Sequence, residues 1–88
     1  MKIYFEESFE KDLRKVKDKS LLKRVKETIN EVRSSKGLRE IKGLEKLKSY
    51  KTFYRIRAGD YRIGVEIVND KIIFTRFLHR KDIYKYFP

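Results

Sequence analysis

The sequence predicts an α+β fold: an N-terminal strand and a two-helix hairpin packed on one face of a small, mainly antiparallel sheet, in the order β-α-α-β-β-β, closed by a short C-terminal helical turn. Three observations carry this. Apolar residues recur at helical spacing through the first third of the chain, apolar and polar residues alternate from Tyr50 onward, and tight-turn dipeptides separate the alternating runs.

Each element has its own signal. Lys2–Phe5 reads as a short opening strand. Ser8 is placed to cap a helix in which Phe9, Leu13 and Val16 recur at i, i+4 and i+7. Ser20 offers a second cap, followed by Leu21, Leu22, Val25, Ile29 and Val32. Residues 34–37, Ser-Ser-Lys-Gly, end that helix, with Gly37 suited to a left-handed stop. The link at residues 17–19 is so short that the two helices must be antiparallel neighbours. Residues 38–48 hold Ile41, Gly43, Leu44 and Leu47 without periodicity, and read as an irregular, partly buried connector. Residues 50–57 form a strand, turned by Ala58-Gly59-Asp60. Tyr61–Val68 is the next, with Asn69-Asp70 supplying residues that tolerate positive φ in a tight hairpin. Residues 71–78 complete the meander, and residues 81–87 form the helical turn. No repeat, low-complexity tract or linker interrupts the chain, so residues 1–88 are expected to form a single domain.

Composition narrows the partners. A chain of 88 residues buries only about 60–65% of its unfolded surface, so its core must be compact. Hydrophobic residues make up 40% and charged residues 42%, enough to fold but with a heavily charged exterior. Lys and Arg number 24 against 13 Asp and Glu, a formal net charge of +11. Such a charge on so small a body favours nucleic acid, an anionic membrane or an acidic protein. Cysteine is absent and His79 is the lone histidine, so thiolate and multi-histidine metal sites are excluded. No metal or other cofactor is expected. No signal-peptide core and no window approaching roughly 20 apolar residues is present, so the chain reads as soluble and cytoplasmic, with no membrane partner.

Register gathers the cations. Pairing Val68 with Lys71 across the Asn-Asp turn sets Glu66 opposite Ile73, Gly64 opposite Thr75 and Arg62 opposite Phe77. Pairing Arg57 with Arg62 across the Gly-Asp turn sets Arg55 opposite Gly64. Opposed residues share a face. One face is then expected to show Arg55, Arg57, Arg62, Gly64, Glu66, Thr75, Phe77 and His79. The other shows Tyr54, Ile56, Ile63, Val65, Ile67, Ile72, Phe74 and Leu78, for the helices to cover. The polar face is expected to lie open, a basic floor with a glycine at its centre.

Arginine suits phosphate because its planar fork makes bidentate bonds and keeps its charge. The plainer alternative for Arg55, Arg57 and Arg62 is a solvated sheet face with Glu66 and Asp60 as ion-pair partners. His79 is the only side chain whose ordinary pKa, about 6.5, lies near neutrality, although a lone histidine is more often structural. Tyr84 can stack on a base, or it can pack with Tyr86 and Phe87 beneath a C-terminal turn. Glu66, the one acid expected on the basic face, reads as a strut for Arg55 or Arg57.

The order of elements, together with Tyr54-Arg55-Ile56-Arg57-Ala58-Gly59-Asp60-Tyr61-Arg62-Ile63 and the later His79-Arg80-Lys81-Asp82-Ile83-Tyr84, resembles the RelE/ParE superfamily of toxins from type II toxin–antitoxin systems. The resemblance covers nearly the whole chain. Its RelE branch implies a metal-independent mRNA interferase that enters the ribosomal A site and cleaves mRNA, the ribose 2′-hydroxyl attacking the adjacent phosphate. By motif position Arg55 and Arg57 match a basic pair that binds phosphate and assists 2′-hydroxyl activation. Arg62 matches the arginine gripping the scissile phosphate, Arg80 the residue linked to leaving-group protonation, and Tyr84 the stacking aromatic. Two departures stand out. Some members carry lysines where this chain has Arg55 and Arg57, and arginine with its pKa above about 12 is a poor proton acceptor. Leu78 stands where a glycine often precedes the late basic pair. Proton handling then falls to His79, or to alignment and electrostatics with the ribosome's help. The resemblance also implies a cognate antitoxin with an acidic or amphipathic wrapping segment. Two other functions fit the residues: the ParE branch, which poisons DNA gyrase, and a non-catalytic RNA-binding module.

Overall fold

The computed structural model describes every residue from Met1 to Pro88. The chain runs through Lys2–Phe5 (β1), Glu7–Arg14 (α1) and Lys19–Ser34 (α2), then a 3-10 turn at Leu38–Glu40. Leu44–Lys46 (β2), Phe53–Ala58 (β3), Tyr61–Val68 (β4), Lys71–His79 (β5) and Arg80–Tyr86 (α3) follow. One five-stranded sheet results, in the order β1-β5-β4-β3-β2. β1 runs parallel to β5 and the other neighbours are antiparallel. The expected α+β architecture is present. The addition is β2, where the sequence predicts an irregular connector. Three paired residues are too few for alternation to register.

The helices cover one face of the sheet. Phe9 of α1 and Val25 and Val32 of α2 are buried against Ile56, Ile63, Val65, Ile72, Phe74 and Phe77. Phe9 and Phe74 sit 5.4 Å apart between ring centroids, with Phe5 5.3 Å from Phe74 at the margin. Burying each such side chain contributes about 1.5–3 kcal/mol, the main drive toward this layering.

Local signals needed small corrections. The N-cap position of α1 is Glu6, with no side-chain cap, because the Ser8 hydroxyl instead donates to the Thr75 carbonyl at 2.6 Å. Asp18 rather than Ser20 caps α2, its carboxylate accepting from the Ser20 and Leu21 amides at 2.9 and 3.2 Å. Gly37 is extended (φ −169°), so it is no left-handed stop. The turns behave as expected, with positive φ at Gly59 (62°) and Asn69 (55°).

α1 also finishes an edge. β1 pairs with β5 only through Phe74, after which β5 would present bare backbone groups. Ser8 takes up the Thr75 carbonyl, and the buried Asp12 carboxylate accepts from the Phe77 amide at 2.9 Å. The same carboxylate accepts from Arg76 Nε at 2.8 Å and Nη2 at 3.2 Å.

Register is right up to one residue. β3 and β4 pair as the Gly59-Asp60 turn dictates, Arg55 with Gly64 and Arg57 with Arg62. β4 and β5 begin as expected, Val68 with Lys71 and Glu66 with Ile73, then slip. Val65 opposes Phe74 but Gly64 opposes Arg76, leaving Thr75 as the extra residue of a β-bulge. Its hydroxyl donates to the Gly64 carbonyl at 2.8 Å. Beyond the bulge every assignment inverts. Phe77 pairs with Ile63 in the core and His79 pairs with Tyr61, whereas Leu78 joins Arg62 on the arginine face.

Nor does that face lie open at its centre. α3 folds back across it, burying Ile83 and Phe87 (1% and 6% exposed). Phe87 lies so close above Gly64 that a Cβ there would stand 2.8 Å from its ring. The glycine is the seat of the C-terminal segment, not a landing for a ligand.

Candidate nucleic-acid interface

Alternation along β3 turns Arg55 and Arg57 away from the helices, and pairing brings Arg62 directly opposite Arg57. Like charges facing across strands are destabilising, so this pair is held by the fold rather than formed for its sake. Arg62 is oriented by its own turn, Nη1 donating at 2.8 Å to both the Gly59 and Tyr61 carbonyls. Its remaining donors stay available. Arg80 begins α3, its amide bonded to the Asp60 carbonyl at 2.8 Å, which ties it to the same turn. Arg57, Arg62 and Arg80 make no ion pair; neither Glu66 nor Asp60 serves as their partner. Glu66 instead accepts from the Thr52 hydroxyl at 3.2 Å.

Arg55 is held differently. Its Nη2 lies 3.2 Å from Glu45 Oε2, and its side chain is only 18% exposed. The guanidinium carbon stands 4.8 Å from the Tyr84 ring centroid, a cation–π contact worth about 0.5–1 kcal/mol at such a site. Tyr84 itself is 65% exposed, so one face of its ring remains for a ligand. It is not packed into the core as the alternative for it required; Ile83 and Phe87 fill that role. Arg55, Arg57 and Arg62 thus share one face of the sheet, Tyr84 lies against Arg55, and the backbone of Arg80 is tied to the Gly59-Asp60 turn beside Arg62.

His79 does not join them. The bulge turns it to the other face, where its ring meets Tyr61 edge-on at 5.4 Å. Its Nδ1 accepts from the Lys81 amide at 3.1 Å, capping α3. Two residues escaped sequence reasoning. Glu45 went unseen because β2 did, and only its pairing with Arg55 reveals it as that cation's partner. Asp12 lies on an otherwise apolar stripe one residue before Leu13, and its burial (6% exposed) with Arg76 has no sequence signal. The Asp12 carboxylate, by hydrogen bonding, raises the Arg76 pKa further above its ordinary value, against a smaller opposing effect of burial. Arg76 is thus a fixed structural cation.

The fold defines a small α+β protein with unneutralised arginines on one face of its sheet. Comparison with known proteins identifies its family. Residues 3–84 match the family described as ParE toxin of type II toxin-antitoxin system, parDE. Over its whole length the chain is 48% identical to Toxin RelE3 of Methanocaldococcus jannaschii, covering all of that protein. The RelE toxin solved in the RelB-RelE antitoxin–toxin complex of Methanococcus jannaschii superposes with a TM-score of 0.82 at 46% identity, over 97% of this chain and 99% of that one. The toxin–antitoxin complex RelBE2 of Mycobacterium tuberculosis shares the fold, with a TM-score of 0.71 at 23% identity over 90% and 96% of the two chains. The chain belongs to the RelE/ParE superfamily of type II toxin–antitoxin toxins.

Proposed function

We propose that this toxin is a ribosome-dependent mRNA endonuclease that blocks translation in the cytoplasm. The observation that supports it best is the set of unneutralised arginines, Arg57, Arg62 and Arg80, beside an exposed Tyr84 backed by Arg55. A phosphodiester between two bases matches that set: cations for the phosphate, an aromatic face for a neighbouring base.

In the proposed reaction the ribose 2′-oxygen attacks the adjacent phosphorus as the bond from phosphorus to the 5′-oxygen breaks. The products are a 2′,3′-cyclic phosphate and a 5′-hydroxyl. Charge grows on the non-bridging oxygens, where Arg57 and Arg62 from opposing strands are suited to stabilise it. Arg80, at the start of α3, faces the leaving oxygen in this scheme, and Tyr84 fixes the neighbouring base. Arg55 keeps Tyr84 in place. The set holds no histidine or free carboxylate to act as base, so the 2′-proton passes to hydroxide or to ribosomal groups, and the leaving 5′-oxygen takes its proton from water or the ribosome. His79 contributes by capping α3 rather than by moving protons.

The Methanococcus toxin was solved bound to its RelB antitoxin. We infer an equivalent partner here, with an acidic or amphipathic segment that neutralises the same cations. The gyrase-poisoning alternative draws support from the ParE family match, and a non-catalytic RNA-binding module from the charge alone. Translating ribosomes with and without the toxin separate the three. Cleaved mRNA ending in a 2′,3′-cyclic phosphate is the expected result. Gyrase-dependent DNA breaks with intact mRNA would establish the ParE activity instead, and RNA retention without any cyclic product would leave only binding.

A further inference from the structure

Beside the arginine margin lies a groove of about 520 Å³, bounded by the turn after β2, by β3 and by the C-terminal segment. Lys46, Lys48, Tyr50, Arg55, Tyr84 and Phe87 line it, and Glu45, the only acidic side chain there, is engaged by Arg55. Three features set it apart from an ordinary solvated crease. Its aromatic walls are exposed, Tyr50 at 46% and Tyr84 at 65%. Its lysines are exposed and make no ion pair. Its walls are also fixed, since Leu47 donates to the Phe53 carbonyl at 2.9 Å and the Thr52 carbonyl accepts from Ile67 at 2.8 Å. Tyr50 and Phe87 both meet Phe53 edge-on, at 5.7 and 5.6 Å, which braces the two sides through one ring.

The groove continues the arginine face. Arg55 and Arg57 are two residues apart on one strand, an advance of about 6.6 Å, comparable to the spacing of successive phosphates in an extended chain. We propose that this groove is a second nucleotide subsite, in which Tyr50 and Tyr84 supply stacking surface for a base next to the cleaved linkage and Lys48 holds the following phosphate. This rests on the RNA-cleaving reading above and extends it by naming where the strand runs. Charge decides the occupant: unpaired lysines with aromatic walls suit a single-stranded polyanion better than a neutral peptide.

The test uses a fluorescent, mixed-sequence 2′-O-methyl RNA oligonucleotide, which binds but cannot be cleaved, with anisotropy read over a salt series. Tyr50→Ala is expected to weaken binding about tenfold. Lys48→Ala is expected to reduce the log–log salt slope by about 0.7, against little change for Lys23→Ala on the outer side of α2. Circular dichroism melts confirm that each variant is folded. Wild-type binding by Tyr50→Ala, or equal slope changes for the two lysine variants, overturns the subsite. So does a Tyr50→Ala protein that binds the oligonucleotide normally but no longer binds the antitoxin, because the groove then belongs to that partner. Normal oligonucleotide binding with no cyclic product on ribosomes rejects the cleavage reading alone.

Discussion

Arg62 is the residue on which the proposed chemistry leans most, and the structure spends two backbone carbonyls on aiming it. Arg62→Ala is expected to slow mRNA cleavage on ribosomes by about 10²–10³-fold, as for loss of one preorganised donor to a developing oxyanion. Folding should barely change, since relief from Arg57 offsets the lost bonds; single-turnover rates and a urea titration check both halves. His79 predicts the reverse. His79→Ala should leave the cleavage rate and its pH profile unchanged while lowering stability by up to about 1 kcal/mol through the lost cap. A bend in the wild-type profile that disappears in the variant would return His79 to the chemistry. These residues show where sequence reading succeeds. Arg55, Arg57 and Arg62 were placed correctly because a two-residue turn fixes their register. His79 was misplaced because one extra residue upstream reverses its side. The clue was in the chain: the core positions Ile72, Phe74 and Phe77 are spaced by two and then by three.

Among the elements, α1 carries a duty that periodicity cannot express. Its apolar stripe was legible, but its polar edge completes β5 through Ser8 and Asp12. Asp12→Ala strands the Phe77 amide and the Arg76 guanidinium. A loss of about 2–3 kcal/mol is expected from chemical denaturation, moderated because Arg76 (side chain 28% exposed) can rehydrate. α2 offers a pH test. Hydrogen bonds from the Leu21 and Ser20 amides hold the exposed Asp18 carboxylate below its ordinary pKa of 3.8. A depressed folded-state pKa stabilises above the unfolded value and ceases to do so as pH falls through the folded one. Asp18→Ala should therefore be less stable than wild type near neutrality, with the gap closing as pH falls below 3.8; urea midpoints measured down through that range would show it. β2 was the element lost to sequence reading, and Glu45 was lost with it.

At the scale of the whole molecule, the sheet is covered on both sides: α1 and α2 over one face, α3 and Phe87 over part of the other. Gly64→Ala tests the second cover. Its Cβ would meet the Phe87 ring at 2.8–2.9 Å, so a cost of about 1–3 kcal/mol is expected. Combining it with Phe87→Ala should remove most of that penalty, and a double-mutant cycle of unfolding free energies reads the coupling. The charge, by contrast, was legible from composition alone, and the fold merely decides which cations stay unneutralised. The bulge at Thr75 decides more than local pairing. It acts like a frameshift in the strand: the residues before it are read inward by one rule and those after it by the opposite rule. Ile73 and Leu78 both come to lie on the face that α3 partly covers, while Phe74 and Phe77 both turn toward the helices, which no uninterrupted strand permits. One inserted residue thus lets a single strand serve two cores. Removing it would reset the frame for everything downstream, turning Phe77 out, Leu78 in, and the base of α3 toward the wrong side of the sheet.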